Sequence, residues 1–231
     1  MTCRIIRGDC LKRLPDLADE SVDLILTDPP YAINYRSNRR VVRPKFNHIT
    51  GDQPGDWMEQ FALESYRLLR PNRHLYCFCR FDTYPRFYQA FESAGFKMKR
   101  TLIWVKNNHG SGDLRGDFAP IDEWIIFAQK GRRLLNGKRR NNILRFDKVA
   151  SSDLLHPTQK PLKLLEVLIE KSSNAGETVL DPFAGVLTTG LAAMDLGRGF
   201  IGIECNREYV DRGMEWLNRK CHQFDYQNTN E

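Results

Sequence analysis

Short apolar runs and amphipathic stretches alternate along most of the 231 residues, and that alternation limits what the chain can become more than any single residue does. "SVDLILT" reads as a short buried strand and "NRHLYCFCR" as another. Between them an amphipathic helix is expected from Trp57 to Leu69, ended by Arg70 and Pro71. "DTYPRFYQAFESAG" reads as a helix stopping at Gly95, and "FKMKRTLIWVK" and "EWIIFAQ" read as strands. The last third repeats the rhythm, with a helix from about Pro161 to Ser173, a strand "ETVLD", a helix from about Thr188 to Leu196, a strand "GFIGIE" and a helix from about Asn206 to Lys220. Such an α/β order builds a doubly wound, mostly parallel sheet covered on both faces. One domain over residues 1–231 is expected, with basic loop insertions at about 32–56 and 106–155 and fraying confined to the tail "HQFDYQNTNE".

Nothing in the chain approaches the roughly 18 consecutive apolar residues of a membrane span, and the opening "MTCRIIRGDC" has no apolar signal core, so a cytoplasmic protein is expected. The six cysteines contain no C-x-x-C pair, which favours packed, reduced thiols over a metal site. The net charge of +6 points to an anionic partner, and its distribution points further. Arg36, Arg39, Arg40, Arg43 and Lys45 fall in a stretch without an acid, and Arg132, Arg133, Lys138, Arg139, Arg140 and Arg145 stand against a single Asp147. Either cluster alone suits a solvated loop; the two together suit nucleic acid.

In doubly wound sheets ligands bind beyond the carboxyl ends of the strands, and three strand ends here carry unusual residues. In "DPFAGVLTTG" a strand turns into a helix at Gly185, where the backbone can approach a ligand; a tight turn with one steric glycine is the plainer reading. The G-x-G-x-x-G spacing of a dinucleotide loop is missing. Glu204 ends "GFIGIE" where a carboxylate can accept hydrogen bonds from both hydroxyls of a ribose, or can cap the helix that follows. Glycine turn, strand and acidic end together resemble a nucleoside-binding half. The third end, "LILTDPPY", stops a buried strand at a carboxylate, two prolines and a tyrosine. The prolines stiffen the turn and remove two amide donors, leaving the Asp28 carboxylate and the Pro29 carbonyl as paired acceptors suited to an exocyclic amine, with Tyr31 as a stacking face. A rigid surface turn is the plain alternative, less apt before a cationic loop.

Four segments in order carry a resemblance: "RGDCLKRLPDLADESVDLILTDPPY", "HPTQKPLKLLEVLI", "VLDPFAGVLTTG" and "GFIGIE". The chain resembles the beta-class S-adenosylmethionine-dependent DNA adenine-N6 methyltransferases, whose Rossmann-like fold has its motifs in this circularly permuted order, with the target-base motif ahead of the cofactor loop. The resemblance implies a catalytic role for Asp28, Pro29, Pro30 and Tyr31. It implies S-adenosylmethionine contacts from Asp9 and Cys10, from Asp28, from His156, Thr158 and Lys160, and from Asp181, Phe183, Gly185 and Glu204. It also implies double-stranded DNA as partner, contacted by Arg36, Arg39, Arg40, Arg43, Lys45, Arg132, Arg133, Arg139 and Arg140, and no metal. A homodimer and a restriction endonuclease partner stay open. The reaction implied is methylation of N6 on a flipped-out adenine. N4-cytosine methylation is the alternative in the same class, although the cytosine enzymes usually have serine in place of Asp28. A DNA-binding relative without catalysis is the alternative outside it, because Val186 and Leu187 stand where the family most often has serine and glycine.

Overall fold

The computed structural model describes residues 2–30, 57–109, 115–150, 152, 154, 159–220 and 226–229. In chain order these form β1 (Cys3–Arg7), α1 (Cys10–Arg13), β2 (Val22–Thr27), α2 (Trp57–Leu68), β3 (Leu69–Cys79), α3 (Tyr84–Ser93), β4 (Lys97–Met98), β5 (Leu102–Val105), β6 (Asp122–Lys130) and β7 (Ile143–Arg145). There follow α4 (Leu162–Ser172), β8 (Thr178–Asp181), α5 (Thr188–Asp195), β9 (Gly199–Glu204), α6 (Arg207–Lys220) and β10 (Tyr226–Thr229). All ten strands join one sheet in the order β10-β1-β9-β8-β2-β3-β6-β5-β7, with β4 paired to β6 beside β5.

From β10 to β3 the neighbours run parallel; β6 is antiparallel to both β3 and β5, and β7 runs parallel to β5. The chain leaves β8 toward β9 on one side, whereas it leaves β2 toward β3 on the other. The sheet therefore changes winding direction between β8 and β2, and a crevice opens there beyond their carboxyl ends.

Period-two alternation explains why every residue of β2 is buried. Leu24 and Leu26 pack into a core shared with α4, α5 and α6, while Ile25 between them packs into a second core built on α1, α2 and α3; Val22, on the far side of the ladder irregularity before Leu24, joins that second core out of period. Helices on both faces thus make a three-layer α/β/α architecture, as the alternation predicts.

Several elements depart from the sequence reading. The tail does not simply fray: Tyr226–Thr229 adds a parallel strand to β1. β1 itself lies between β9 and β10, with Cys3, Ile5 and Ile6 buried despite flanking arginines. β3 begins three residues earlier than "NRHLYCFCR", because Arg70 to Arg73 form an irregularity between the pairs Val22↔Leu69 and Leu24↔His74. Asn72 there takes a positive φ of 58°. The buried Asp23 carboxylate secures the detour by accepting two bonds of 2.9 Å from Arg70 and one of 3.0 Å from Arg73. Cys3, Cys10, Cys77 and Cys79 are buried thiols and Cys205 is an exposed one; Cys221 lies outside the described residues. No described helix is long and apolar enough to cross a membrane, and among the described residues no three His, Cys, Asp or Glu converge to hold a metal.

Candidate active site

Thr27 is the last ladder residue of β2, and Pro29 and Pro30 cannot donate to a neighbouring strand, so the chain must leave the sheet at Asp28. The crevice it enters is lined by Asp28, Pro29 and Pro30 on one side and by Phe183, Gly185 and Glu204 on the other. Two of the three strand ends singled out in the sequence thus face the third across one cleft.

Asp28 does not stand alone. Lys160, only 6% exposed, places its Nζ 2.5 Å from the Asp28 carboxylate and 3.1 Å from that of Glu123. Glu123 in turn takes Lys106 at 2.7 Å. Two acids and two lysines form a continuous chain, capped by the Phe78 ring 5.0 Å from the Lys160 ammonium. Burial by itself works against charge on both Lys160 and Glu123. The facing opposite charges outweigh it, holding the lysine above its ordinary range and the glutamate below. Both stay ionised.

Asp181, at the end of β8, is fastened from three sides. Its oxygens accept from the Thr27 hydroxyl at 2.7 Å, the Thr189 hydroxyl at 2.6 Å and the Phe183 amide at 3.1 Å. The residue lines the cleft, but its oxygens are taken up in joining β2 to the loop and to α5. Burial pushes its carboxyl up from 3.8 to about 6, against the pull of those three donors. A carboxyl raised in the folded state stabilises most below its unfolded value and loses that contribution as pH climbs through the folded one, here a span of order 3 kcal/mol between about pH 4 and 6. Asp181→Asn keeps an acceptor and removes this titration, so the melting temperature of the variant relative to that of the wild type should rise as pH climbs through that range. Parallel melting curves would contradict this.

Beyond Asp181 the loop turns on Gly185, at φ 50°, and again on Leu187, at φ 62°. Glu204 ties this loop to the end of β9: one oxygen accepts from the Gly185 amide at 2.8 Å and the other from the Asn206 amide at 2.7 Å. The Cys205 thiol also donates weakly to the second of these oxygens at 3.5 Å; the oxygen facing Gly185 has one lone pair beyond its amide bond, and Glu204 can receive a ribose hydroxyl there. Phe183 is set by edge contacts with Trp57 and Phe61, ring centres 5.8 and 5.4 Å away. Asp9 caps α1 through the Leu11 amide at 3.0 Å, and the preceding Gly8 amide bonds the Glu204 carbonyl at 3.0 Å, which brings Asp9 to the same strand end. Asp9 and Cys10 are not among the residues lining the cleft; Cys10 points into the core beside α1, where burial raises its thiol. Tyr31, His156, Thr158, Arg36, Arg39, Arg40, Arg43 and Lys45 lie outside the described residues.

The second cationic cluster divides between the two edges of the sheet. β6 runs backwards, so its end at Lys130 pairs with Arg73 at the edge opposite the cleft. There the Arg132 amide bonds the Asn72 side chain at 2.9 Å and the Arg133 guanidinium pairs with Glu177 at 3.2 Å. The Lys138 carbonyl accepts from Lys171 at the end of α4, and Asn142 reaches the Thr101 carbonyl just before β5. Arg132, Arg133, Arg139 and Arg140 therefore sit away from the site, whereas Arg145 returns to it at the end of β7 and lines a neighbouring groove with Lys106, Asn107 and Lys163. Sequence reading missed Glu123 and Lys106. For Glu123 the reason is that only carboxyl ends of strands were taken as site-facing, and reversal of β6 puts its amino end on the same edge; Lys106 follows the carboxyl end of β5 and carries no motif that marks it.

A sequence model of the family described as DNA methylase, the N6/N4 group, matches residues 22–215, which hold Asp28, Glu123, Lys160 and Glu204 together. The chain belongs to that family. The methylase is 32% identical over 251 residues to the DNA adenine methyltransferase YhdJ of Escherichia coli, covering 94% of this chain and 83% of the relative. It is 31% identical over 248 residues to the type II methyltransferase M.HpaI of Haemophilus parainfluenzae, covering 97% and 77%. Among solved structures it matches the M1.HpyAVI–SAM complex with a TM-score of 0.71 and 29% identity over 94% of the methylase and all of that chain. The cytosine-N4-specific PvuII DNA methyltransferase shares the fold, with a TM-score of 0.75 at 18% identity, covering 100% of this chain and 96% of that one.

Proposed function

We propose that the methylase transfers a methyl group from S-adenosylmethionine to the exocyclic N6 of adenine in double-stranded DNA. The observation that carries this is the cleft in which Asp28, Pro29 and Pro30 face Gly185 and Glu204 across the switch point of the sheet. Glu204, whose oxygen beside Gly185 can accept a further hydrogen bond, suits a ribose, and the Phe183 face and the Gly185 turn suit the remainder of a nucleoside. S-Adenosylmethionine supplies the electrophilic methyl group. The adenine relatives and the acidic first residue of the turn favour adenine over cytosine.

An N6 amine in a duplex is paired and stacked, so the base has to leave the helix at a cost of a few kcal/mol. Asp28 and the Pro29 carbonyl then accept its two amine hydrogens, and the proline-stiffened turn holds these acceptors without rearrangement. Drawing on those hydrogens shifts lone-pair density from ring conjugation toward nitrogen, which makes it nucleophilic. The carboxylate also stabilises the positive charge that nitrogen acquires as its bond to the methyl carbon forms and the carbon–sulfur bond breaks; the leaving group would be the neutral thioether S-adenosylhomocysteine, and the methylated amine would then lose one proton to solvent. Tyr31 stacks on the flipped base in this reading, and the chain works in the cytoplasm, where its DNA is.

Expression in a methylation-deficient host, followed by sequencing of the plasmid for modified bases, tests the proposal. N6-methyladenine at a defined sequence is expected; modification of cytosine alone, or none, would sink it. The divided cationic cluster adds a second test. Neutralising Arg39, Arg40 and Arg43 should flatten the slope of log affinity against log salt by up to about three, one phosphate each, whereas neutralising Arg132, Arg133, Arg139 and Arg140 should leave it unchanged. The reverse result would put DNA at the other edge.

A further inference from the structure

We propose that Glu123 is a positioning residue that, acting through Lys160, keeps the Asp28 carboxylate available to the target amine. The inference rests on the methyl-transfer reading above and assigns a role to a residue that no strand-end motif includes.

A lysine buried against one carboxylate forms a closed neutral pair, in which the ammonium occupies the oxygen lone pairs and cancels their field. Asp28 facing Lys160 at 2.5 Å would be in that position. Such a carboxylate accepts poorly from an amine and stabilises little positive charge. Glu123 changes the balance by sharing the Lys160 ammonium from the other side at 3.1 Å. Lys106 holds Glu123 in place from the far end, with its Nζ 2.7 Å away, so the chain of two acids and two lysines is neutral as a whole; what Glu123 alters is how much of the Lys160 ammonium is turned toward Asp28. As the methyl group arrives, nitrogen gains positive charge, and a carboxylate whose counter-ion is shared with a second acid keeps more of its field for that nitrogen, which lowers the barrier.

The fold explains how Glu123 comes to be there. It is the second residue of β6, and Cys79 at the end of β3 pairs with Trp124 next to it. An antiparallel strand between β3 and β5 delivers its first residues to the edge where β2 delivers Asp28. Salt bridges placed only to hold β6 would serve as well at the other edge, where Lys130 already pairs with Glu20 at 3.1 Å. Lys160 instead spends its buried charge on the residue that meets the substrate.

Glu123→Gln keeps the shape and one acceptor oxygen but removes the charge, and Glu123→Asp returns the charge on a shorter stem. Activity is read as tritium transferred from labelled S-adenosylmethionine to unmodified plasmid DNA, with cofactor binding by calorimetry as the check that each variant is folded. Glu123→Gln should lower kcat by about tenfold or more while KM for S-adenosylmethionine moves less than about threefold, and Glu123→Asp should regain at least about threefold of the lost rate. A kcat for Glu123→Gln within threefold of wild type would overturn the role of Glu123. So would a loss that Glu123→Asp does not repair and that comes with weakened cofactor binding, since that is a packing defect. Wild-type protein that transfers no tritium would overturn the methyl-transfer reading itself, and the role of Glu123 with it.

Discussion

Asp28→Ala is expected to abolish methyl transfer, lowering kcat by about a thousandfold or more, while leaving the affinity for DNA within a few-fold of wild type. Three features of the site bear on that expectation. The carboxylate is the one charged group of the Asp-Pro-Pro turn, so alanine leaves only the Pro29 carbonyl to accept an amine hydrogen. The affinity for DNA comes mostly from phosphate contacts, and Asp28, an acid, supplies none. The fold survives because Lys160 keeps Glu123 at 3.1 Å and is not left as an unpaired buried cation; the lost charged hydrogen bond costs about 1.5–3 kcal/mol, well short of a typical domain's stability. Asp28→Asn retains an acceptor oxygen without the charge and should fall between wild type and alanine. Single-turnover transfer to plasmid DNA, with DNA binding measured alongside, decides the matter. An alanine variant that turned over at near the wild-type rate would remove Asp28 from the chemistry.

What the sequence made legible was chemistry attached to regular elements. Asp28, Gly185 and Glu204 each follow an apolar run whose character is plain, and the alternation of those runs with helices places their ends on one edge. The illegible parts depend on partners far away in sequence. β1 is five residues long with an arginine at two positions, so its burial shows only once β9 and β10 flank it. β10 reads as a polar tail and is a strand because β1 offers it a free edge. The detour at Arg70 to Arg73 carries a Pro and an Asn that signal a break, yet pairing continues past it because Asp23 accepts from both arginines. Glu123 looked like the start of a strand and nothing more, since strand direction is not written in a hydrophobic run. The same blindness merged Arg133 and Arg145 into one cationic patch, although the sheet separates them edge from edge.

Leu187 is the residue at which family likeness and local physics pull hardest against each other, and its replacement should show which governs. The side chain is fully buried in the core with α5 and α6. Its backbone is left-handed, at φ 62° and ψ 28°, a conformation that costs a branched residue about 1–2 kcal/mol and glycine almost nothing. Room for it comes from Gly213 on α6, where a Cβ would lie 2.7 Å from the Leu187 side chain and 2.9 Å from the Val186 carbonyl. The leucine thus plugs the space beneath the cofactor loop instead of narrowing the cleft above it. Leu187→Ala empties the plug and keeps the strain, so a loss of about 2–5 kcal/mol is expected. Leu187→Gly leaves a similar cavity and adds chain entropy to the unfolded state, but it relieves the strain. It should therefore unfold within about 1 kcal/mol of the alanine variant, where glycine in ordinary backbone would be clearly worse. Affinity for S-adenosylmethionine should barely change in either. Denaturant unfolding and calorimetric titration of the three proteins test both halves. A glycine variant that bound the cofactor far more tightly than wild type would mean that Leu187 obstructs the cleft, and that this chain had given up part of its activity at that position.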